Sequence, residues 1–197
     1  MISPLDQKLI GRLLAEHPDD PDGFADRERR AASFLLLYEE DVTKILLVKK
    51  KTTPGYRWSG QIGMVGGFIE PEDGSDLDAA YRELEEELQI PRGEVETLGS
   101  LGHFPTQVSM TSVHVFVGLW DGVRTPVPYP VEIEKIVTLE LETLLDQHAR
   151  HGYSGRHPAE IGGRYLRYPT KSGDIWGVTG RTMHSLLELL ANGRAGA

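Results

Sequence analysis

The sequence predicts an α/β protein in which helices sandwich a mixed β-sheet, an α/β/α architecture. Three observations carry that prediction: apolar runs of strand length recur along the chain, two longer segments repeat their apolar residues at helical spacing, and the two kinds interleave. At 197 residues, 39% of them hydrophobic and 26% charged, the chain suffices for one well-buried domain with a terminal extension. Residues 1–30 are expected to be an N-terminal helical extension and residues 31–197 the domain proper.

The elements follow in order. Residues 3–15 read as an amphipathic helix: Ser3 can cap it, Pro4 suits its first turn, and Leu5, Leu9, Leu13 and Leu14 line one side. The turn-forming run HPDDPDG ends it. Residues 32–38 and 44–50 are apolar strands joined by EEDVT, hence an antiparallel hairpin. Lys49, Lys50 and Lys51 open a loop and read as a solvated edge, or as contacts for substrate phosphates. Residues 62–69 carry a strand into the Gly66-Gly67 turn, and a helix follows that ends at Pro91. Strands are expected at 96–104, 111–120 and 131–139, the middle one supported by the alternation of Val113, Val115, Val117 and Leu119. Residues 141–147 would make one or two helical turns, 148–163 a Gly- and His-rich loop, 164–168 a strand, and 179–190 a terminal helix. Trp176 is expected to anchor that helix to the core.

Composition excludes several roles. A net charge of −9 argues against a nucleic-acid partner, whose phosphates are met by Lys and Arg. With no cysteine there is no disulfide framework and no thiolate chemistry. No apolar run reaches membrane-spanning length, and the N-terminus lacks the basic and apolar regions of a leader, so no membrane partner and a cytoplasmic location are expected. No Gly-x-Ser-x-Gly or similar nucleophile motif occurs, and the His residues lack metal-ligand spacing, apart from His148 and His151 in the predicted loop.

The chemistry concentrates between Gly66 and Ile90. Ser75 offers an N-cap hydroxyl with Asp78 three residues on, and Leu77, Ala80, Tyr81, Leu84 and Leu88 make one apolar stripe. Glu83, Glu86 and Glu87 share another arc at i, i+3 and i+4, where like charges repel. Arg82 is expected to point elsewhere around the helix, which leaves a divalent cation to neutralise that arc. Hard oxygen ligands at this density suit Mg²⁺ or Mn²⁺.

This segment resembles the Nudix box: Gly, five residues, Glu, seven residues, then Arg-Glu-U-x-Glu-Glu-x-Gly-U, with U aliphatic. Arg82-Glu83-Leu84-Glu85-Glu86-Glu87-Leu88-Gln89-Ile90 fits the second half, with Gln89 where the pattern has Gly. The first half is one residue longer, so its acidic position falls on Asp73 or Glu70. Within the superfamily, residues 30–190 look most like the coenzyme A diphosphatase branch. Gly66, Gly67, Glu70 and Asp73 reproduce its longer loop, extra residue included. Ser59-Gly60-Gln61-Ile62, Tyr129-Pro130-Val131-Glu132-Ile133 and Ile175-Trp176-Gly177-Val178-Thr179-Gly180 resemble three further elements of that branch. Its Phe-Pro before the Gly pair is Met64-Val65 here, and its upstream His is Trp58.

The resemblance implies the α/β/α sandwich and metal-dependent hydrolysis of a diphosphate linkage in a nucleoside diphosphate derivative. Coenzyme A would be cut to 3′,5′-ADP and 4′-phosphopantetheine. Glu83, Glu86 and Glu87 would hold Mg²⁺ or Mn²⁺, with Arg82 orienting a ligand through a salt bridge. One of those carboxylates, or one from a facing loop, would serve as general base, Glu132 first and Glu134 in reserve. Gly66 and Gly67 would let backbone approach the metal, and Glu70 or Asp73 would hold the loop or a further ion. Tyr56 and Trp58, with Arg57 between them, are candidates to stack on an adenine. ADP-ribose, dinucleoside polyphosphates and other nucleoside diphosphate derivatives are alternative substrates. A non-catalytic nucleotide-binding domain is the alternative in kind, and a homodimer is compatible with the family.

Overall fold

In the computed structural model, which describes residues 7–17, 29–55, 58–106, 111–162 and 166–195, strand β1 (Arg30–Glu39) runs through the middle of the sheet. Its apolar run is buried on both faces, the pattern of a strand covered from two sides. Along its whole length β1 pairs in parallel with β6 (Ser112–Trp120), which pairs in turn with β5 (Val95–Pro105). On the other edge the first half of β1 meets β4 (Val65–Phe68) and the second half meets β2 (Thr43–Lys50), the expected hairpin. Strands β3 (Ile62–Gly63) and β7 (Ile133–Glu140) pair with β2, completing a mixed sheet of seven strands among the described residues.

Side chains of β1 alternate between two cores. Leu35 and Leu37 face α1 (Gln7–Ala15), α3 (Leu141–Arg150) and α5 (Gly177–Ala195), through Ile10, Leu144 and Leu187. Phe34 and Leu36 face α2 (Asp76–Leu88), through Ala80, Leu84 and Leu88. This is the α/β/α sandwich the sequence predicts. No helix among the described residues is long and apolar enough to cross a membrane.

Several elements depart from expectation. Helix α1 buries Ile10 and Leu14, with Leu9 and Leu13 only half-buried; Ser3, Pro4 and Leu5 lie outside the described residues. The 62–69 strand divides at Met64 into β3 and β4. Helix α3 runs to Arg150, because Leu141 and Leu144 continue their spacing into His148, and a short α4 (Pro158–Ile161) interrupts the expected loop. Of the strand expected at 164–168, residues 164 and 165 lie outside the described residues; Tyr168 opens β8 (Tyr168–Thr170), which forms a separate hairpin with β9 (Gly173–Ile175). Trp176 is 39% exposed, with the Arg167 guanidinium 5.9 Å from its ring centroid, so it is not a core anchor.

Both ends of α2 are fixed. At its start Asp78 N–H donates to Ser75 Oγ at 3.1 Å, while the Asp78 carboxylate accepts from the Ser75 hydroxyl (2.7 Å). Asp76 accepts from Arg30 of β1 (2.6 Å) and pairs with His114 of β6 at 2.9 Å, pinning the helix to the sheet. At its end Gln89 is left-handed, φ 55°, and its N–H closes on Glu85 O at 2.9 Å. The N–H groups of Val127 and Tyr129 then donate to the Leu88 and Glu87 carbonyls, both at 2.8 Å, satisfying acceptors the helix leaves open.

Gln89 occupies the position of the box Gly, and it is the one non-glycine residue with positive φ among those described. Gln89→Gly should therefore raise stability by about 0.5–1 kcal/mol in urea titrations; a loss would show that the Gln side chain compensates its strained backbone. Burial works to raise the Asp76 pKa, but His114 and Arg30 outweigh it and hold the carboxyl below the usual range. That stabilisation is complete above the ordinary pKa of about 4 and is lost as pH falls through the depressed folded value. Asp76→Asn should flatten the acid limb of the stability–pH curve, and an unchanged limb would remove the carboxylate from this account.

Candidate active site

The Gly66-Gly67 pair lies on β4 where that strand passes between β1 and α2. A Cβ on Gly66 would lie 2.3 Å from Ala32 O, and one on Gly67 would lie 2.4 Å from the Glu83 carboxylate. The absence of both side chains lets Gly66 N–H donate to Glu87 Oε2 at 3.2 Å. Two carboxylates of the helix are thus drawn against bare backbone. Burial pushes the pKa of Glu83 and of Glu87 up, and the residual pull of Arg82 on the first and Lys50 on the second does not restore it.

Arg82 does not point away from the acidic arc, as the helical wheel suggests. Its long side chain folds back, so that Nη1 donates to Glu83 Oε1 (2.8 Å) and Glu86 Oε2 (3.3 Å). Its other face grips Asp73 through two bonds of 3.0 Å and donates to Phe68 O at 2.9 Å. One guanidinium thereby joins the loop after β4 to the acidic helix. Asp73 also accepts from Glu70 N–H at 2.8 Å, which closes the loop. Of the two candidates for the box acid, Asp73 thus holds Arg82 while Glu70 borders the cavity.

The lysines at the end of β2 are not a solvated edge. Lys50 pairs with buried Glu87 and, at 3.4 Å, with Glu132; Lys49 meets Glu134 at 3.0 Å; Lys51 donates to Pro130 O. Lys51 N–H adds a 2.7 Å bond to Glu132 O. These contacts hold the 129–133 loop across from α2, with Glu132 on the rim of the cavity and Glu134 outside it.

The cavity has a volume of about 410 Å³, within the range of small-molecule sites. Gly66, Gly67, Glu70, Glu83, Glu87 and Glu132 border it, as does Trp58, whose ring meets Phe68 edge-on at 6.2 Å. Glu86 is not part of the lining and stands exposed on α2, bonded to Arg82. Tyr56 and Arg57 lie outside the described residues. Met64, where the coenzyme A diphosphatase branch has the Phe of its Phe-Pro, lines the wall too. Sequence reasoning missed Ser33, Thr106 and Thr111, which share the wall and carry no motif. It caught Val178 and Thr179 only through the resemblance of residues 175–180.

The donors fit a hard divalent cation: all are oxygens, several are desolvated, and five carboxylates (Asp73, Glu83, Glu86, Glu87, Glu132) face two cations (Lys50, Arg82). Their oxygens do not converge as a compact triad; Arg82 holds Glu83 and Glu86 while Lys50 draws Glu87 aside. A cation would compete with these two side chains for the carboxylates.

A sequence model of the NUDIX domain matches residues 27–157, well over half the chain. The Nudix hydrolase NudL of Photorhabdus laumondii is 28% identical over 180 residues, 91% of this chain and 95% of that protein. Mitochondrial Nudix hydrolase 15 of Arabidopsis thaliana is 29% identical over 88% of this chain, which spans 65% of the plant protein. Among solved structures, the Ap4A hydrolase of C. elegans superposes with a TM-score of 0.52 at 18% identity, over 86% of this chain and 99% of that one. A MutT/nudix family protein from Enterococcus faecalis gives 0.54 at 13% identity, over 85% and 63%.

The two glycines should fail differently. Gly66→Ala drives a Cβ into β1 backbone at positive φ and should cost more than about 2 kcal/mol. Gly67→Ala meets only the end of a flexible side chain, so it should stay within about 1 kcal/mol of wild type while weakening Mn²⁺ binding. Calorimetric Mn²⁺ titration beside urea melts checks both; undiminished Mn²⁺ affinity in Gly67→Ala would detach Glu83 from the cation.

Proposed function

This chain belongs to the Nudix family and is a Nudix hydrolase, and from that premise we propose that it cleaves the diphosphate linkage of coenzyme A, giving 3′,5′-ADP and 4′-phosphopantetheine. One observation carries the choice of substrate. The four segments that resemble the coenzyme A diphosphatase branch fall in three separate parts of the chain, yet Gln61 and Ile62, Gly66, Gly67 and Glu70, Glu132, and Val178 and Thr179 all border one cavity.

In this reading Glu83, Glu86 and Glu87 hold Mg²⁺ or Mn²⁺, which supplies charge neutralisation on the diphosphate and a water of lowered pKa. Arg82 is a positioning residue: tied to Asp73, it sets Glu83 and Glu86 toward the cavity while the Glu70 carboxylate lines the approach. Glu132 acts as general base. It reaches the cavity from the facing loop, and with its side chain 48% exposed it can pass a proton to solvent. Lys50, between Glu87 and Glu132, is placed to meet a phosphate oxygen once the carboxylates turn to the cation. Trp58, backed by Phe68, offers a flat face to the adenine, with Arg57 beside it in sequence. Hydrolysis adds water across one P–O–P bridge, and the proton given up by the attacking water leaves through the base.

Product analysis by mass on coenzyme A, ADP-ribose, NADH and diadenosine polyphosphates, each with Mg²⁺ or Mn²⁺, tests the proposal. Coenzyme A should be cleaved fastest, and Glu86→Gln, exposed enough to leave the fold intact, should lower kcat about hundredfold or more. Faster cleavage of another compound would keep the reaction and replace the substrate. Binding without turnover of any would favour a regulatory nucleotide-binding role.

A further inference from the structure

On the face of the sheet opposite α2, His148 of α3 meets His184 and Glu188, which stand one turn apart on α5. The three side chains each bring one ligand atom within 4.8 Å of the others. The two imidazoles are 1% and 2% exposed. We propose that these residues form a second metal site, for a borderline divalent ion of the zinc class, that pins the C-terminal helix to α3.

The surroundings are those of a built site. His148 Nδ1 is engaged by the Tyr168 hydroxyl at 2.9 Å, which leaves Nε2 to face Glu188 Oε1 at 2.6 Å. The other oxygen of Glu188 accepts from Gly155 N–H at 2.9 Å. A partner behind the ring and a partner behind the carboxylate are what orient metal ligands. His184 Nε2 is buried with no hydrogen-bond partner, a cost that coordination of this ring would relieve. Burial, then the facing His148, lowers the His184 pKa, with Glu188 and the backbone of Tyr153 and Arg156 working the other way; neutral imidazole is the ligating form.

Two imidazoles and a carboxylate select zinc, cobalt or a similar ion over Mg²⁺. Ligands at about 2.0–2.1 Å in a tetrahedron stand about 3.4 Å apart. The 2.6 Å His148–Glu188 contact must therefore open slightly, and a neutral His148 that ligates through Nε2 carries its proton on Nδ1, where the Tyr168 hydroxyl accepts it. The other compact triad, Asp76, His103 and His114, is a poorer site, because Arg30 already neutralises Asp76 and Ser112 and Ser100 engage the two rings.

The site is tested apart from hydrolysis. Protein stripped with chelator is kept in saturating Mg²⁺, which occupies the carboxylate face, and is titrated with Zn²⁺ by calorimetry and with Co²⁺ by visible absorption. Wild type should bind one equivalent tightly and show the intense bands of four-coordinate cobalt. Both signals should vanish in His184→Gln and persist in Glu86→Gln, and Tyr168→Phe should weaken binding about 10- to 100-fold. Absence of saturable binding in wild type overturns the proposal, as does binding that is lost in Glu86→Gln and kept in His184→Gln. Should His184→Gln give no cooperative melt, Tyr168→Phe decides, and unchanged affinity there overturns the site.

Discussion

The structure turns on how closely β4 approaches its neighbours. Gly66 brings bare backbone against β1 at a distance no side chain would permit, and Gly67 brings it against the Glu83 carboxylate of α2. Everything at the site follows from this contact. It sets the depth at which Glu83 and Glu87 sit, and hence their desolvation and raised pKa. It also starts the loop at the level from which Asp73 reaches back to Arg82. A bulkier residue would move the sheet off the helix, and the helix carries the chemistry.

Burying acids beside one another is unfavourable, and the chain offsets it with two cations of different kinds. Arg82 spreads its charge over Asp73, Glu83 and Glu86 in a planar fork, a geometry a lysine could not supply. Lys50 is a point charge on a flexible stem, lodged between Glu87 and Glu132. The arginine is fastened by five hydrogen bonds, one of them to a backbone carbonyl, and belongs to the frame. The lysine holds Glu87 and Glu132 through one ammonium group, so a cation on those carboxylates would compete with both contacts.

The sequence showed the helix that matters because its signals are local. The Ser75 cap, the apolar stripe and the i, i+3, i+4 carboxylates lie within sixteen residues and obey one period. The sandwich was legible because apolar runs of strand length interleave with segments of helical spacing, both of which are local patterns. The reach of Arg82 was not, since a helical wheel places the Cα and says nothing of where a long side chain folds. Nor was the His148, His184 and Glu188 cluster, which unites a residue expected in a loop with two on a distant helix. Spacing patterns find ligands that neighbours in sequence supply, and tertiary packing supplied these. Trp176 misled because size and apolarity suggest burial, whereas the turn into α5 carries it outward.

The charge balance also bears on the order of events in the proposed reaction. The protein is acidic overall, at −9, and its candidate site shares that sign, with three carboxylates left over after Lys50 and Arg82 are matched. A diphosphate brings further negative charge to that surface, so without a cation substrate and site repel at short range, where burial limits screening. Burial raises the pKa of Glu83 and Glu87, and a divalent ion would supply the countercharge these desolvated carboxylates lack. Substrate affinity, and not turnover alone, should therefore depend on the cation. The acidity that argues against a nucleic-acid backbone as main partner is compatible with a small phosphorylated one, because a few coordinated charges suffice to reverse the field locally.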